Sequence, residues 1–416
     1  MVPTLSHVDP RPVLTRLAEK DVHGHDRMAR AFLRTVVRLR PGSCVAIHGA
    51  PGSGKSQFLL RCAYLMQSER HTVGFDPIAP AAGAWCWYNP WLYQKHGNIL
   101  SGLVATMAHA SPDPAVMDRA RDIVGHINRM HFGDDMPDHA GTGINRGDLN
   151  PILRVRQGFM HLIELLKVPA PGRVLVFVED MDMLGPSARL LLLEGLRLLA
   201  TDEHDVTFAV SIGRQSATEA IRLREGKALS DNAASHCLDE LMDLDITVPG
   251  MDVRKISELL RAELGPAEEV VRRAFGPDAL DALAAACASR PLGRPRFLQR
   301  LAGRIVMLAE FAIGTRSNRE LSEAQWAWVI VSERWPDFRR FMLRGGRDRW
   351  VHLRHSLALM GTAGQGLREV GVHPDMVHWL EKDLIFADYL RLYAEEFERE
   401  EDAVYWLETL QIACGL

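Results

Sequence analysis

Apolar positions fall into two regimes along the chain. Between residues 43 and 248, short runs of β-branched and aromatic residues alternate with longer stretches of helical period; beyond residue 251 only the helical period remains. The strand candidates are the run from Ser43 to His48, Gly83 to Tyr88, Arg173 to Val178, Val206 to Ile212 and Leu241 to Val248. Helical stretches separate them, at Gln57 to Ser68, Ile99 to Ala110, Ile152 to Lys167 and Pro186 to Ala200. Strand and helix in alternation predict an α/β fold with a doubly wound, mostly parallel five-stranded sheet. Ahead of it, Val13, Leu14 and Leu17, then Met28, Ala31, Phe32, Val36 and Val37, predict two helices around a turn at 21–26. The expected organisation is a helical lead-in at 1–40, an α/β domain at 41–250 with a helical and loop insertion at about 95–165, a helical lid at 251–315, and a C-terminal helical domain at 316–416. Trp326, Trp328, Trp335 and Phe338 of that last part are expected in its core.

The first strand runs into Gly49-Ala50-Pro51-Gly52-Ser53-Gly54-Lys55-Ser56, followed by Gln57 and a helix. This is the pattern G-x-x-x-x-G-K-[ST] of a phosphate-binding loop. Its glycines admit positive φ, so successive amides can converge on an anion, and the following helix points its positive end at the same place. Lys55 is expected at the β- and γ-phosphates and Ser56 at Mg²⁺, with ATP as the nucleotide. The third strand stops at Glu179-Asp180-Met181-Asp182, and in a parallel sheet these carboxylates emerge at the edge that carries the loop. We assign Glu179 to the metal, with Ser56 and Asp180 beside it, and Asp180 to the attacking water; spacing alone leaves the reverse order of the two acids open.

Other polar residues carry weaker signals. Arg214, just past the fourth strand, is a candidate sensor of the γ-phosphate, against a surface arginine opening a helix. Arg296, and next Arg300, open a helix after Pro295 and are candidates to close over the nucleotide, against a solvated helix face. Asn89-Pro90-Trp91 reads as packing, and the histidines and aspartates at 21–26 as a solvated turn that can lie near the base. His126, His131, Asp134, Asp135 and His139 follow loop composition rather than a metal site.

Composition narrows the partners. The 416 residues are 47% hydrophobic, with 49 basic and 53 acidic side chains and a net charge of −4, so no bulk field holds a polyanion and any nucleic-acid contact must be a local patch. Six scattered cysteines without a C-x-x-C pair, no basic-apolar leader and no long uninterrupted apolar window predict a reduced, cytoplasmic protein with no membrane contact.

With these pieces placed, the sequence resembles the KAP family of P-loop NTPases, a branch of the STAND-type signalling ATPases, over about residues 15 to 345. The resemblance rests on Gly49 to Ser56, Asn89-Pro90-Trp91, Glu179-Asp180-Met181-Asp182, Leu238-Asp239-Glu240 through Pro249, and Pro295-Arg296 with Arg300. It departs at Glu179 and Gly213, where the family usually has aspartate, at Met183, where arginine often follows, and in lacking transmembrane helices between the nucleotide motifs. The resemblance implies an ATP-driven conformational or oligomerisation switch, a homo-oligomer working with a protein partner or effector, in bacteria often in defence against phage or mobile DNA. Arg222 and Arg224 are candidates to complete a neighbour's site. The alternatives are a nucleotide-binding scaffold with negligible hydrolysis and a nucleic-acid-stimulated ATPase or loader.

Overall fold

A computed structural model describes residues 21, 23–50, 52–68, 82–94, 98–109, 111–132, 151–169, 172–225, 230–288, 292, 294–314, 321–360, 372 and 374–399. The chain divides into two compact units, Met1–Pro249 and Gly250–Leu416. The helix expected before residue 21 lies outside the described residues.

In the first unit, helix α1 (Asp26–Val36) precedes β1 (Ser43–His48), α2 (Lys55–Ser68) and β2 (Ala82–Tyr88). The insertion follows as α3 (Ile99–His109), α4 (Pro114–Phe132) and α5 (Pro151–Lys167). Then come β3 (Arg173–Val178), α6 (Pro186–Leu199), β4 (Val206–Ser211), α7 (Arg214–Glu225), α8 (Asp231–Leu241) and β5 (Leu244–Thr247). All five strands pair in parallel, in the order β2-β3-β4-β1-β5. Strands β1, β3 and β4 are buried along their whole length, as expected where helices cover both faces. Each buried Val, Leu or Phe there contributes about 1.5–3 kcal/mol. Edge strand β5 instead alternates half-buried and exposed residues and is shorter than the run from Leu241 to Val248, because one side has no neighbour to extend the ladder.

The strand order positions the site. β4 lies between β1 and β3, so the turns leaving β1, β4 and β3 stand side by side at one sheet edge. β1 and β3 are two strand spacings apart, about 10 Å, a gap that facing side chains can close. At the opposite edge, Arg173 fastens α1 to the sheet: its guanidinium donates to the Val36 carbonyl at 2.6 Å, the Leu39 carbonyl at 2.8 Å and the Asp205 carboxylate at 3.1 Å.

The second unit is helical among its described residues: α9 (Val253–Leu264), α10 (Glu268–Phe275), α11 (Ala279–Ala288), α12 (Pro295–Gly314), α13 (Glu323–Arg334), α14 (Pro336–Met360), α15 (Pro374–Lys382), α16 (Leu384–Leu392) and α17 (Ala394–Arg399). Helix α13 starts at a capping box, with Ser322 and Gln325 bonding each other's backbone amides. Trp328 is fully buried and meets Phe338, Trp350 and Phe397 edge-on. Asp383 caps α16 and accepts the Trp335 indole N–H at 2.8 Å. Among the described residues no helix is long and apolar enough to cross a membrane.

Candidate nucleotide site

The turn from β1 to α2 has the backbone its glycines permit. Gly52 and Gly54 sit at φ 77° and 96°, and a Cβ at Gly49 would strike the Ser53 hydroxyl. Ser53 donates its amide to the Ala50 carbonyl at 3.0 Å, and the first intrahelical bond runs from Phe58 N–H to the Gly54 carbonyl at 2.9 Å. The amides of Lys55, Ser56 and Gln57 precede that bond and, by helix geometry, face out of the helix end toward an anion. Lys55 is only 7% exposed; its ammonium donates to the Gly49 carbonyl at 2.8 Å and the Ala50 carbonyl at 3.4 Å. Pro51 lies outside the described residues.

The acidic turn is built with equal care. Glu179, which the sequence reading directs at the metal, is fully buried, its Oε2 accepting the Trp87 indole N–H from neighbouring β2 at 3.0 Å. Asp180 then takes a left-handed conformation at φ 53°, a costly one for a residue with a side chain, and its Oδ2 accepts from Asn89 Nδ2 at 3.2 Å. That left-handed step ends the strand and swings the chain so that Asp182 reaches the loop. Asp182 Oδ2 pairs with Lys55 Nζ at 2.9 Å, and its Oδ1 accepts the Gly213 amide N–H at 2.7 Å. The carboxylate that joins the three turns is therefore Asp182, rather than Glu179 or Asp180.

Two supports were not apparent from sequence. Arg189 of α6 is buried and donates to the carbonyls of Met181 at 3.1 Å, Asp182 at 3.1 Å, Leu184 at 2.7 Å and Ser216 at 2.5 Å. It fixes the acidic turn to the start of α7, and burial lowers its pKa. Asn89 uses its other end to cap the short helix Pro90–Tyr93, accepting the Trp91 amide at 3.1 Å, while Trp91 itself is 49% exposed. The N-P-W turn, expected as packing, thus reaches the acids through Asn89.

The candidate arginines are placed differently. Arg214 is held by Asp245 at 2.7 Å, Asp239 at 2.6 Å and the Ser235 hydroxyl at 2.8 Å. Asp245 also stands 3.3 Å from the Nε2 of His48, the last residue of β1, so Arg214 is tied to the edge strand rather than to the loop. Arg222 pairs with Asp231 at 2.6 Å; the Arg224 side chain lies outside the described residues. Arg296 is exposed on the first turn of α12, and Arg300, one turn on, faces Glu333 at 3.3 Å.

The turn at 21–26 is not solvated as expected. His23 and His25 are buried, 5.7 Å apart between ring centres, and His25 packs edge-on to Phe58 of α2. Burial lowers both pKa values to about 4. Among the described residues no three His, Cys, Asp or Glu side chains form a ready-made metal cluster; residues 133–150, with Asp134, Asp135 and His139, lie outside them, as does the His131 side chain. Ser56 and the acids of the turn after β3 are the residues that would hold a divalent ion at this site.

The model of the KAP family P-loop domain matches residues 25–310. No curated protein matches the sequence. A similar solved structure, described as "Structure of Drosophila ORC bound to DNA", is 13% identical, with a TM-score of 0.42 over 90% of this chain and 80% of that one.

Proposed function

The chain belongs to the KAP family of P-loop domains, and from that premise we propose that it binds Mg-ATP between residues 49–57 and the acidic turn, hydrolyses it, and uses the cycle as a conformational or oligomerisation switch. The observation that carries this reading is the pair between Lys55 and Asp182 at 2.9 Å, which brings the loop and the acids to one place. Lys55 would hold the β- and γ-phosphates, the amides around Gly52 and Gly54 would cradle them, and Ser56 would hold the metal from the loop side. Asp180, at the strained position and oriented by Asn89, is the group we place at the attacking water. Mg²⁺, when bound, neutralises charge building on the transferred phosphoryl group. Asp182 touches Lys55 and the Gly213 amide together, so a γ-phosphate that competes for Lys55 changes a contact shared by the turns after β1, β3 and β4.

Thermal unfolding of the full chain tests binding. Saturating Mg-ATP, at about 100 times Kd, should stabilise the wild type by about 2.7 kcal/mol, and Lys55→Ala should lose nearly all of that. An equal upward shift in both proteins would place the nucleotide elsewhere. Steady-state phosphate release, lost in Asp180→Asn, tests hydrolysis.

A second reading, occupancy without turnover, is favoured by Glu179, whose carboxylate is buried against Trp87. Binding with no phosphate release in either protein would select it. For the switch, we propose a homo-oligomer engaging a protein effector, in bacterial signalling or defence. Light scattering with and without Mg-ATP tests assembly, and phage plating on cells expressing the wild type or Lys55→Ala tests the setting.

A further inference from the structure

Three polar side chains, one in the first turn of α2 and two in the turn before α1, each leave a buried atom without a hydrogen-bond partner among the described residues: Gln57 Oε1, His25 Nδ1 and His23 Nδ1. The three residues are 6%, 4% and 8% exposed. They stand along one seam. Gln57 and Arg61, one helical turn apart, share a face of α2, and Arg61 Nε donates to Asp26 Oδ1 at 3.0 Å, which turns that face toward the start of α1. Phe58, beside Gln57, meets the His25 ring edge-on at 6.0 Å, and His23 lies 5.7 Å from His25. The seam starts at the phosphate loop, since the main-chain amide of Gln57 is among those that face the anion.

Buried polar atoms are normally paired, and one left unpaired costs stability. Three along one seam call for a ligand that supplies their partners, and its chemistry follows from theirs. Burial lowers both histidine pKa values to about 4, so at neutral pH each ring is uncharged and offers one donor and one acceptor nitrogen. Asp26 and Arg61 at the border neutralise each other, and the Asp21 carboxylate is turned to the main-chain amides of His25 and Asp26. An uncharged seam of mixed donors and acceptors suits a nucleobase rather than a second phosphate. A carboxamide pairs with adenine by accepting from its amino group and donating to N7, whereas the same edge of guanine presents two acceptors and would leave Gln57 Oε1 unpaired. All three atoms are closed to solvent, so the base reaches them as the turn at 23–26 moves off α2.

We propose that the seam between residues 23–26 and the first turn of α2 receives the adenine base of the nucleotide, and that Gln57 and His25 select it through hydrogen bonds to its edge. This rests on residues 49–57 being the phosphate site and gives that site its base specificity.

The test is calorimetry of the full chain with the Mg²⁺ complexes of ATP, GTP, CTP and UTP in turn, at neutral pH. The wild type should bind ATP about tenfold or more tighter than each of the other three. Gln57→Met, which keeps the length of the side chain, should reduce that preference about tenfold, and His25→Phe, which keeps a ring against Phe58, should reduce it severalfold. Both variants remove a buried unpaired atom, so without nucleotide each should melt at or above the wild-type temperature. A merely structural role predicts the opposite pattern, a lower melting temperature with the preference for ATP intact. If Gln57→Met does not fold, His25→Phe carries the same comparison. Four nucleotides bound equally by the wild type, or a preference for ATP unchanged in the variants, would overturn the proposal and leave the phosphate site standing. Failure of the wild type to bind any of the four would overturn both.

Discussion

Asp182 has two jobs, and they predict different losses. Its Oδ2 balances Lys55 in a largely buried setting and its Oδ1 holds the Gly213 amide, so Asp182→Asn keeps the shape and removes the charge. A charge-assisted contact of this kind is worth about 1–3 kcal/mol, and urea denaturation without nucleotide should show a loss of that order. An unchanged midpoint would mean that the pair is incidental. Gly213 gives the complementary experiment. A Cβ there would lie 3.2 Å from Asp182 Oδ1 and 3.3 Å from the Ser216 hydroxyl, so Gly213→Asp, the residue common at this place in the family, would bring a second carboxylate against the first. Like charges this close repel each other. The variant should be less stable than the wild type by about 1–2 kcal/mol at pH 7, and Gly213→Asn, of nearly the same size and uncharged, should lose less. Equal losses in the two variants would instead indicate steric strain.

At the scale of elements, one helix organises the acidic turn through its main-chain carbonyls. Arg189 on α6 donates to four main-chain carbonyls, three in the turn after β3 and one in the first turn of α7. Arg189→Met keeps much of the apolar stem and leaves those carbonyls without a donor. It should cost about 2–4 kcal/mol and also reduce the stabilisation by Mg-ATP, since Asp182 loses its support; a purely global role would leave that increment intact. This residue also marks where sequence reading stops. The strands at 173–178 and 206–211 are visible because buried parallel strands need unbroken runs of β-formers, and the loop is visible because its glycines and lysine sit next to one another in the chain. Arg189 reads as one polar position in Pro186–Leu199, because its partners are backbone carbonyls, which every residue has and no sequence pattern displays. Likewise Glu179, Asp180 and Asp182 are equivalent on paper. Only the left-handed step at Asp180 and the placing of β4 between β1 and β3 decide that Asp182 meets Lys55. Arg214 stands beside the expected site in sequence, yet Asp239 and Asp245, brought close by α8 and β5, hold its guanidinium.

At the scale of the whole molecule, the buried histidines make stability answer to pH before the carboxylates do. His23 and His25 titrate near pH 4 in the folded protein, through desolvation and, for His23, the neighbouring charge of His25, against about 6.5 when unfolded. Between those values the unfolded chain binds the protons that the folded one refuses, so protonation favours unfolding. The stabilisation is complete above pH 6.5, erodes as pH falls, and is lost near pH 4. A difference of this size corresponds to about 3 kcal/mol per ring as an upper bound, and the two contributions do not simply add, because each ring's charge opposes the other's. Carboxylate pairs that depend on ionised acids, such as Asp26 with Arg30 and Arg61, weaken lower still, since hydrogen bonds from those arginines hold the Asp26 pKa below its ordinary value. Urea midpoints measured from pH 7 to pH 4.5 should therefore fall steadily in the wild type and much less in a His23→Gln, His25→Gln double variant. Because His25 packs on Phe58, three residues past Lys55 in α2, binding at the loop should oppose the loss, and saturating Mg-ATP should move the decline to lower pH. A wild-type midpoint flat across this range would show that the two rings take up protons without unfolding the turn that encloses them.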